Sequence, residues 1–232
     1  MKSIREQSIH ELGQYFEQSI ISHKSDAEVV TIVENAIKYN MAGIFCREHQ
    51  IDLIKPMLQG TGLFLGAGFS FPFGQESPAV KAFAAEKLCE RGVKTIDFVM
   101  DFGALIEGRY SYVEDAAALV RKAAPDAELR MIIECCYLTD EQIDIACRIA
   151  AENKLDYIKS STGQVQGPSF SQMVRIAKNT HEAGMKAKVA GIKFPHAQNA
   201  MVTLLAGIDR IGTQQAVTIL DGFSELREHG IF

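Results

Sequence analysis

The sequence contains no apolar run that approaches the roughly 20 residues a helix needs to cross a bilayer. Its first residues, MKSIREQSIHELGQYF, are charged throughout and offer neither an apolar signal region nor a small-residue cleavage site. Lysines and arginines form no cluster long enough to follow a phosphate backbone, and the formal net charge is −5. We therefore expect a cytoplasmic protein that binds neither membranes nor nucleic acid.

Cysteine and histidine are few and follow no ligand spacing. The five cysteines include no CxxC pair, and the six histidines show no HxH or HxxxH spacing. The segment GAGFSF (66–71) lacks the third glycine of a dinucleotide-binding loop. We therefore predict reduced, mostly buried thiols, no metal and no cofactor.

The sequence does contain a repeated unit, in which a short apolar run and a turn precede a segment with helical periodicity. Helical segments occupy 25–40, 77–92, 139–154 and 169–184, each opening with Ser or Thr where an N-cap belongs. Eight strands are predicted at 16–21, 42–46, 63–70, 95–100, 130–135, 157–161, 187–192 and 209–213.

Alternating strands and helices predict a parallel sheet, and eight such strands can close into a barrel. The chain has 232 residues, close to the about 250 of a typical eight-stranded α/β barrel. The competing doubly wound sheet has about five or six strands, which leaves two strands too many here. No linker divides the chain, so we predict one TIM (β/α)8 barrel over residues 1–232, with a short N-terminal helix.

Polar residues near strand ends carry the chemistry of such a barrel, because the loops after the strands form the active site. Lys159 and Lys188 lie on consecutive predicted strands, which should run about 4.8 Å apart, and Asp97 lies on the fourth. Two crowded, desolvated ammonium groups destabilise each other, so one amine becomes neutral and can form a Schiff base. Asp97 could then move protons. Alternatively, each lysine reaches solvent and the aspartate caps a turn.

Six segments resemble the deoxyribose-phosphate aldolase family, from about Phe16 to Gly222. They are SFPFG (70–74), TIDFVMDFGAL (95–105), IIECCYL (132–138), DYIKSSTG (156–163), AKVAGIK (187–193) and DRIGT (209–213). The resemblance implies a cofactor-free class I aldolase of carbohydrate catabolism. Lys159 would form the Schiff base, Lys188 would favour its neutral form, and Asp97 would be the acid/base residue. It also implies a sugar-phosphate or aldehyde substrate and a homodimer or tetramer.

The resemblance weakens where the family binds its phosphate through backbone amides near strands six to eight. Gln164 replaces a lysine, Ile192 replaces a glycine, and Gln214 and Gln215 replace two serines. On the second strand Phe45 and Arg47 replace Cys and Asn. The implied substrate-binding residues are Thr162, Gly163, Gly191, Lys193, Gly212, Gln214, Gln215, Arg47 and Glu17.

Four functions therefore stay open. The first is cleavage of 2-deoxyribose 5-phosphate to acetaldehyde and glyceraldehyde 3-phosphate. The second is Schiff-base aldol chemistry on an unphosphorylated or acidic sugar. The third is a related lyase or transaldolase-like reaction, and the fourth is a non-catalytic sugar-binding barrel.

Overall fold

Eight parallel strands form one closed barrel in chain order, with the first strand beside the last. The computed structural model describes residues 3–231. The strands are β1 Phe16–Ser19, β2 Gly43–Cys46, β3 Phe64–Phe69, β4 Thr95–Val99, β5 Glu128–Ile132, β6 Tyr157–Lys159, β7 Lys186–Ala190 and β8 Arg210–Thr213. The eight predicted strands and the TIM-barrel fold are confirmed.

Helices surround the barrel and connect its strands. They are α1 Ile9–Gly13, α2 Asp26–Lys38, α3 Ile51–Met57, α4 Pro78–Glu90, α5 Phe102–Ile106, α6 Tyr110–Ala123, α7 Asp140–Glu152, α8 Phe170–Glu182, α9 His196–Leu205 and α10 Ala216–Glu228. The predicted N-caps are confirmed: Ser25, Ser77, Thr139 and Ser169 each accept a hydrogen bond from the first turn of their helix. Within residues 3–231 no helix is long and apolar enough to span a bilayer.

The strand ends differ from the prediction where the backbone turns out of the sheet. β5 ends at Ile132, three residues early, because Glu134 adopts a left-handed conformation with φ 46° before a 3₁₀ turn at Cys135–Tyr137. β7 ends at Ala190 because Gly191 has φ +81°. Both turns occur at the end of the barrel where the loops after the strands gather.

Successive side chains along each strand point alternately to the apolar core outside the barrel and to the charged barrel interior. Residues such as Phe16, Ile96, Leu129 and Val189 are buried in the hydrophobic core. The residues between them place charge inside the barrel, since side chains two apart on a strand share a face. The buried charged residues of the strands are Glu17, Asp97, Arg130, Lys159 and Lys188.

A buried lysine fixes the loop between β3 and α4. Lys81 of α4 is fully buried, and its Nζ donates hydrogen bonds to the Gly74 carbonyl at 2.6 Å and to Ser70 Oγ at 3.2 Å. The loop carries Phe71 to the barrel mouth. Gly74 itself has φ +68°, and a Cβ there would lie 1.9 Å from the Met100 carbonyl oxygen.

Gly74→Ala should lower the free energy of unfolding by about 2–5 kcal/mol, because a left-handed alanine is strained and its methyl group overlaps Met100. Gly60→Ala is the matched control, since Gly60 also has a positive φ but a Cβ would meet nothing within 4 Å. Gly60→Ala should lower the free energy of unfolding by only about 1–2 kcal/mol. Urea titrations measure both values, and equal losses would contradict the close approach at Gly74.

Candidate active site

Strand register brings the two lysines together at the centre of the barrel. Lys159 on β6 and Lys188 on β7 are direct partners across the ladder. Lys159 Nζ lies 2.8 Å from Asp97 Oδ2, and Lys188 Nζ lies 2.9 Å from the same oxygen. All three side chains are buried. The two amines therefore lie close together, as their places on consecutive strands predicted, and they share one carboxylate oxygen from β4.

A second carboxylate lies beneath the lysine pair. Lys188 Nζ is 2.5 Å from Glu17 Oε2, and Arg130 Nη1 is 2.5 Å from Glu17 Oε1. Arg130 also donates to Glu128 Oε1, through Nε at 3.1 Å and Nη2 at 2.5 Å. Every buried cation here has an anionic partner, which burial in the barrel requires.

Burial and neighbouring charges set the protonation of this cluster. Burial lowers the pKa of Lys188 to about 8; Asp97 and Glu17 oppose that shift, while Lys159 and Arg130 add to it. Burial opposes ionisation of Asp97, but the charges of Lys159, Lys188 and Arg130 outweigh it and hold its pKa below the usual range. Near neutral pH the site therefore combines an ionised carboxylate with an amine that is close to losing its proton.

A cavity of about 450 Å³ opens at the carboxyl ends of the strands, and Lys159 and Asp97 lie in its wall. Lys188 does not line this cavity and is only 1% exposed. Asp97 Oδ1 is buried and accepts no hydrogen bond from the described residues. A ligand in the cavity thus meets the Lys159 amine and the side chain of Asp97, which both line it.

Most of the predicted substrate-binding residues line this cavity. These are Arg47, Thr162, Gly163, Gly191, Gly212, Gln214 and Gln215. The structure does not bring two others to it. Glu17 is fully buried under Lys188, and Lys193 is exposed and faces a neighbouring depression beside α8 and α9.

The loops after β6, β7 and β8 present backbone N–H groups at the cavity. Those of Gly163, Gly191, Ile192 and Gln214 donate to no group within residues 3–231. Gly191 must be glycine, because a Cβ there would lie 2.9 Å from Gly167 Cα. Unpaired backbone amides grouped around one cavity are typical of an anion site.

Arg47 closes the opposite side of the cavity. Its Nε and Nη2 donate to the Ile21 carbonyl at 3.1 and 2.5 Å, so the guanidinium is held in place.

Within residues 3–231, no three His, Cys, Asp or Glu side chains are grouped to hold a metal ion.

Comparisons with known proteins give the family. No protein-family model matches the chain. The deoxyribose-phosphate aldolase of Finegoldia magna is 31% identical over 213 residues, which are 91% of this chain and 100% of that protein. That of Rhodospirillum rubrum is 34% identical over 185 residues, covering 80% and 77% of the two chains. The chain belongs to the deoxyribose-phosphate aldolase family.

The chain is thus an aldolase, a lyase that makes or breaks a carbon–carbon bond. The fold agrees with a solved structure of the family. The tetrameric deoxyribose phosphate aldolase of Aeropyrum pernix superposes with a TM-score of 0.85 at 24% identity, covering 94% of this chain and 93% of that one.

Two charged residues of the aldolase site were missed in the sequence. Arg130 could have been found by the reasoning applied to Lys159, since it is also a charged residue inside a predicted strand. Its guanidinium lies over the rings of Tyr157, Phe64 and Phe45, at 4.5, 5.1 and 5.3 Å from their centroids.

Glu134 is the second missed residue, and it fixes the loop after Lys159. Its carboxylate accepts hydrogen bonds from Thr162 N at 3.2 Å and from Thr162 Oγ1 at 2.5 Å. Burial raises the pKa of Glu134, against the hydrogen bonds from Thr162 and the charge of Lys159. No sequence pattern indicates that Glu134 adopts a left-handed backbone conformation.

Proposed function

We propose that the chain cleaves 2-deoxyribose 5-phosphate to acetaldehyde and glyceraldehyde 3-phosphate, reversibly, through a Schiff base on Lys159. One observation carries this proposal: the Lys159 amine lies at the cavity, 2.8 Å from a carboxylate oxygen that it shares with a second, enclosed lysine. A noncatalytic barrel gains nothing from burying such a pair, since desolvating each charge is costly.

The reaction begins with the neutral amine of Lys159. Lys188, its direct partner across the β6–β7 ladder, brings a second cation close to this amine, and like charges in a buried site destabilise each other. The amine attacks the aldehyde carbon C1 of the open-chain sugar, and the carbinolamine loses water to give a protonated imine. This cation is the electron sink for the next step.

Asp97 serves the bond-breaking step. Its Oδ1, which has no partner among the described residues, takes the proton of the C3 hydroxyl directly or through a water molecule. The C2–C3 bond breaks, its electron pair forms the enamine on Lys159, and glyceraldehyde 3-phosphate leaves. Protonation at C2 and hydrolysis of the imine then release acetaldehyde and restore the amine.

The phosphate would be held by the free N–H groups of Gly163, Gly191, Ile192 and Gln214. A different observation favours a second candidate, an unphosphorylated or acidic sugar. The side chains of Gln164, Ile192 and Gln214, which line the cavity beside these amides, are neutral, and the guanidinium of Arg47 lines the cavity on the other side. An acid group could therefore bind at Arg47 instead.

Initial rates of acetaldehyde release from 2-deoxyribose 5-phosphate and from 2-deoxyribose test this choice. Hydrogen bonds to a charged group contribute about 1.5–3 kcal/mol each, so we expect the phosphorylated sugar to have at least about tenfold higher kcat/KM. Equally poor activity on both sugars would contradict phosphate recognition. Borohydride reduction with acetaldehyde separates an enzyme, labelled on Lys159, from a noncatalytic barrel, which takes no label.

We further propose a cytoplasmic homo-oligomer. All five cysteines are free, as in a reducing compartment. Large apolar side chains remain exposed on α4, where Val80 is 51% and Phe83 is 60% exposed. Such a patch is typical of a surface that associates.

A further inference from the structure

The two lysines of the site are chemically alike but differ in access. Both amines bind Asp97 Oδ2, and burial lowers the pKa of Lys188. By charge alone Lys188 could form a Schiff base as readily as Lys159. Some feature of the barrel must therefore keep carbonyl compounds away from Lys188.

Phe45 of β2 lies where such a barrier is needed. Its side chain lines the cavity, and the Lys188 Nζ is 3.7 Å from the centroid of its ring. The ammonium group of Lys188 thus contacts Asp97, Glu17 and the face of the ring. A cation so close to an aromatic face is attracted to it.

The neighbouring strand is shaped to admit this ring. A Cβ on Gly66 of β3 would lie 2.6 Å from Cζ of Phe45, so the ring occupies the space that a side chain at position 66 would need. Phe64, two residues earlier, packs edge to face on Phe45 with centroids 6.0 Å apart. Gly212 on the far side leaves room for the lysine, because a Cβ there would lie 3.0 Å from Lys188 Cε.

We propose that Phe45 is a positioning residue that separates Lys188 from the cavity, so that carbonyl compounds form a Schiff base on Lys159 alone. This rests on the Schiff base proposed at Lys159. The ring closes the path to the second amine and keeps water from it, while leaving its contacts with the two carboxylates intact.

The charged groups around Lys188 come from five other strands. They are Glu17 on β1, Asp97 on β4, Arg130 on β5 and Lys159 on β6, and Arg210 on β8, the ladder partner of Lys188, whose Nε lies 3.8 Å from Glu17 Oε1. Truncating Phe45 changes none of them. Its effect on Lys188 is therefore to open access to the amine and to replace the contact with the ring by water.

The test is the site of covalent labelling. Each variant is incubated with acetaldehyde and sodium borohydride at about pH 9, where a fraction of even an ordinary lysine is neutral. The amine and the aldehyde form an imine and water, hydride reduces the imine to N-ethyllysine, and peptide mass spectrometry locates it. The natural protein should carry the label on Lys159 and none on Lys188.

Phe45→Ala should be labelled on Lys188 as well as on Lys159. The double variant Phe45→Ala, Lys159→Leu should be labelled on Lys188 alone of the two positions. Lys159→Leu alone should leave both positions unlabelled. Phe45→Leu is the matched control, because it keeps most of the apolar bulk and should leave Lys188 unlabelled. If Phe45→Ala does not fold, as judged by circular dichroism, Phe45→Val takes its place and should give the same gain of label.

Two failures are distinguishable. Absence of label on Lys159 in the natural protein would overturn the proposed Schiff base. Label on Lys159 together with an unlabelled Lys188 in folded Phe45→Ala and Phe45→Val would overturn the role of Phe45 and leave the aldolase mechanism standing.

Discussion

Lys159→Leu should abolish cleavage of 2-deoxyribose 5-phosphate while leaving the barrel folded. The variant removes the only amine that we assign to the Schiff base, and enzymes that lose their nucleophile lose at least about 10⁴-fold in kcat. The fold should survive, because Asp97 keeps its contact with Lys188 and a leucine suits the buried position. Acetaldehyde release measures activity, and far-ultraviolet circular dichroism measures folding.

The matched control is Lys94→Leu, the same replacement at an exposed lysine just before β4, at the opposite end of the barrel from the cavity. It should keep full activity. Raising the pH should not rescue Lys159→Leu, since within residues 3–231 no other lysine lines the cavity while Phe45 is in place. Activity within tenfold of the natural protein would show that Lys159 is not the nucleophile.

The fold could be predicted because each βα unit carries its own local pattern. Strand periodicity, N-caps such as Ser25 and Thr139, and the number of units lead to the closed barrel without knowledge of any long-range contact. The strand ends were less predictable. β5 stops early because Glu134 takes a left-handed conformation, which no local residue pattern indicates.

The same logic explains how much of the site could be predicted. Lys159 and Lys188 stand out as charges in apolar strands, and consecutive strands of a barrel must be neighbours, so their pairing follows from the chain order. The Glu17–Arg130 ion pair does not follow, because it joins residues 113 positions apart across the barrel. The position of the Phe45 ring depends on Gly66 in another strand, so the sequence around Phe45 does not predict it.

Lys188→Leu should reduce kcat/KM at neutral pH by about 10²-fold and move the rising limb of its pH profile to alkaline values. Two effects act in the same direction. Lys159 loses a like charge nearby, and Asp97 Oδ2 no longer divides its hydrogen bonds between two amines. Both favour the ammonium form of Lys159, so a smaller fraction of the nucleophile is neutral at pH 7.

The pH dependence of this variant also tests the direction of the proposed electrostatic effect. Its activity should recover as the pH rises and the nucleophile loses its proton. Glu17 keeps its ion pair with Arg130, so the buried carboxylate is still compensated, although removing one partner should cost about 3–5 kcal/mol of stability. Lys188→Met, which keeps an unbranched side chain, separates packing from charge and should show the same alkaline shift. Borohydride trapping at high pH should still label Lys159 in both variants. An unchanged pH profile at full activity would mean that Lys188 does not control the protonation of the nucleophile, and that its burial between Glu17, Asp97 and the Phe45 ring is a matter of stability alone.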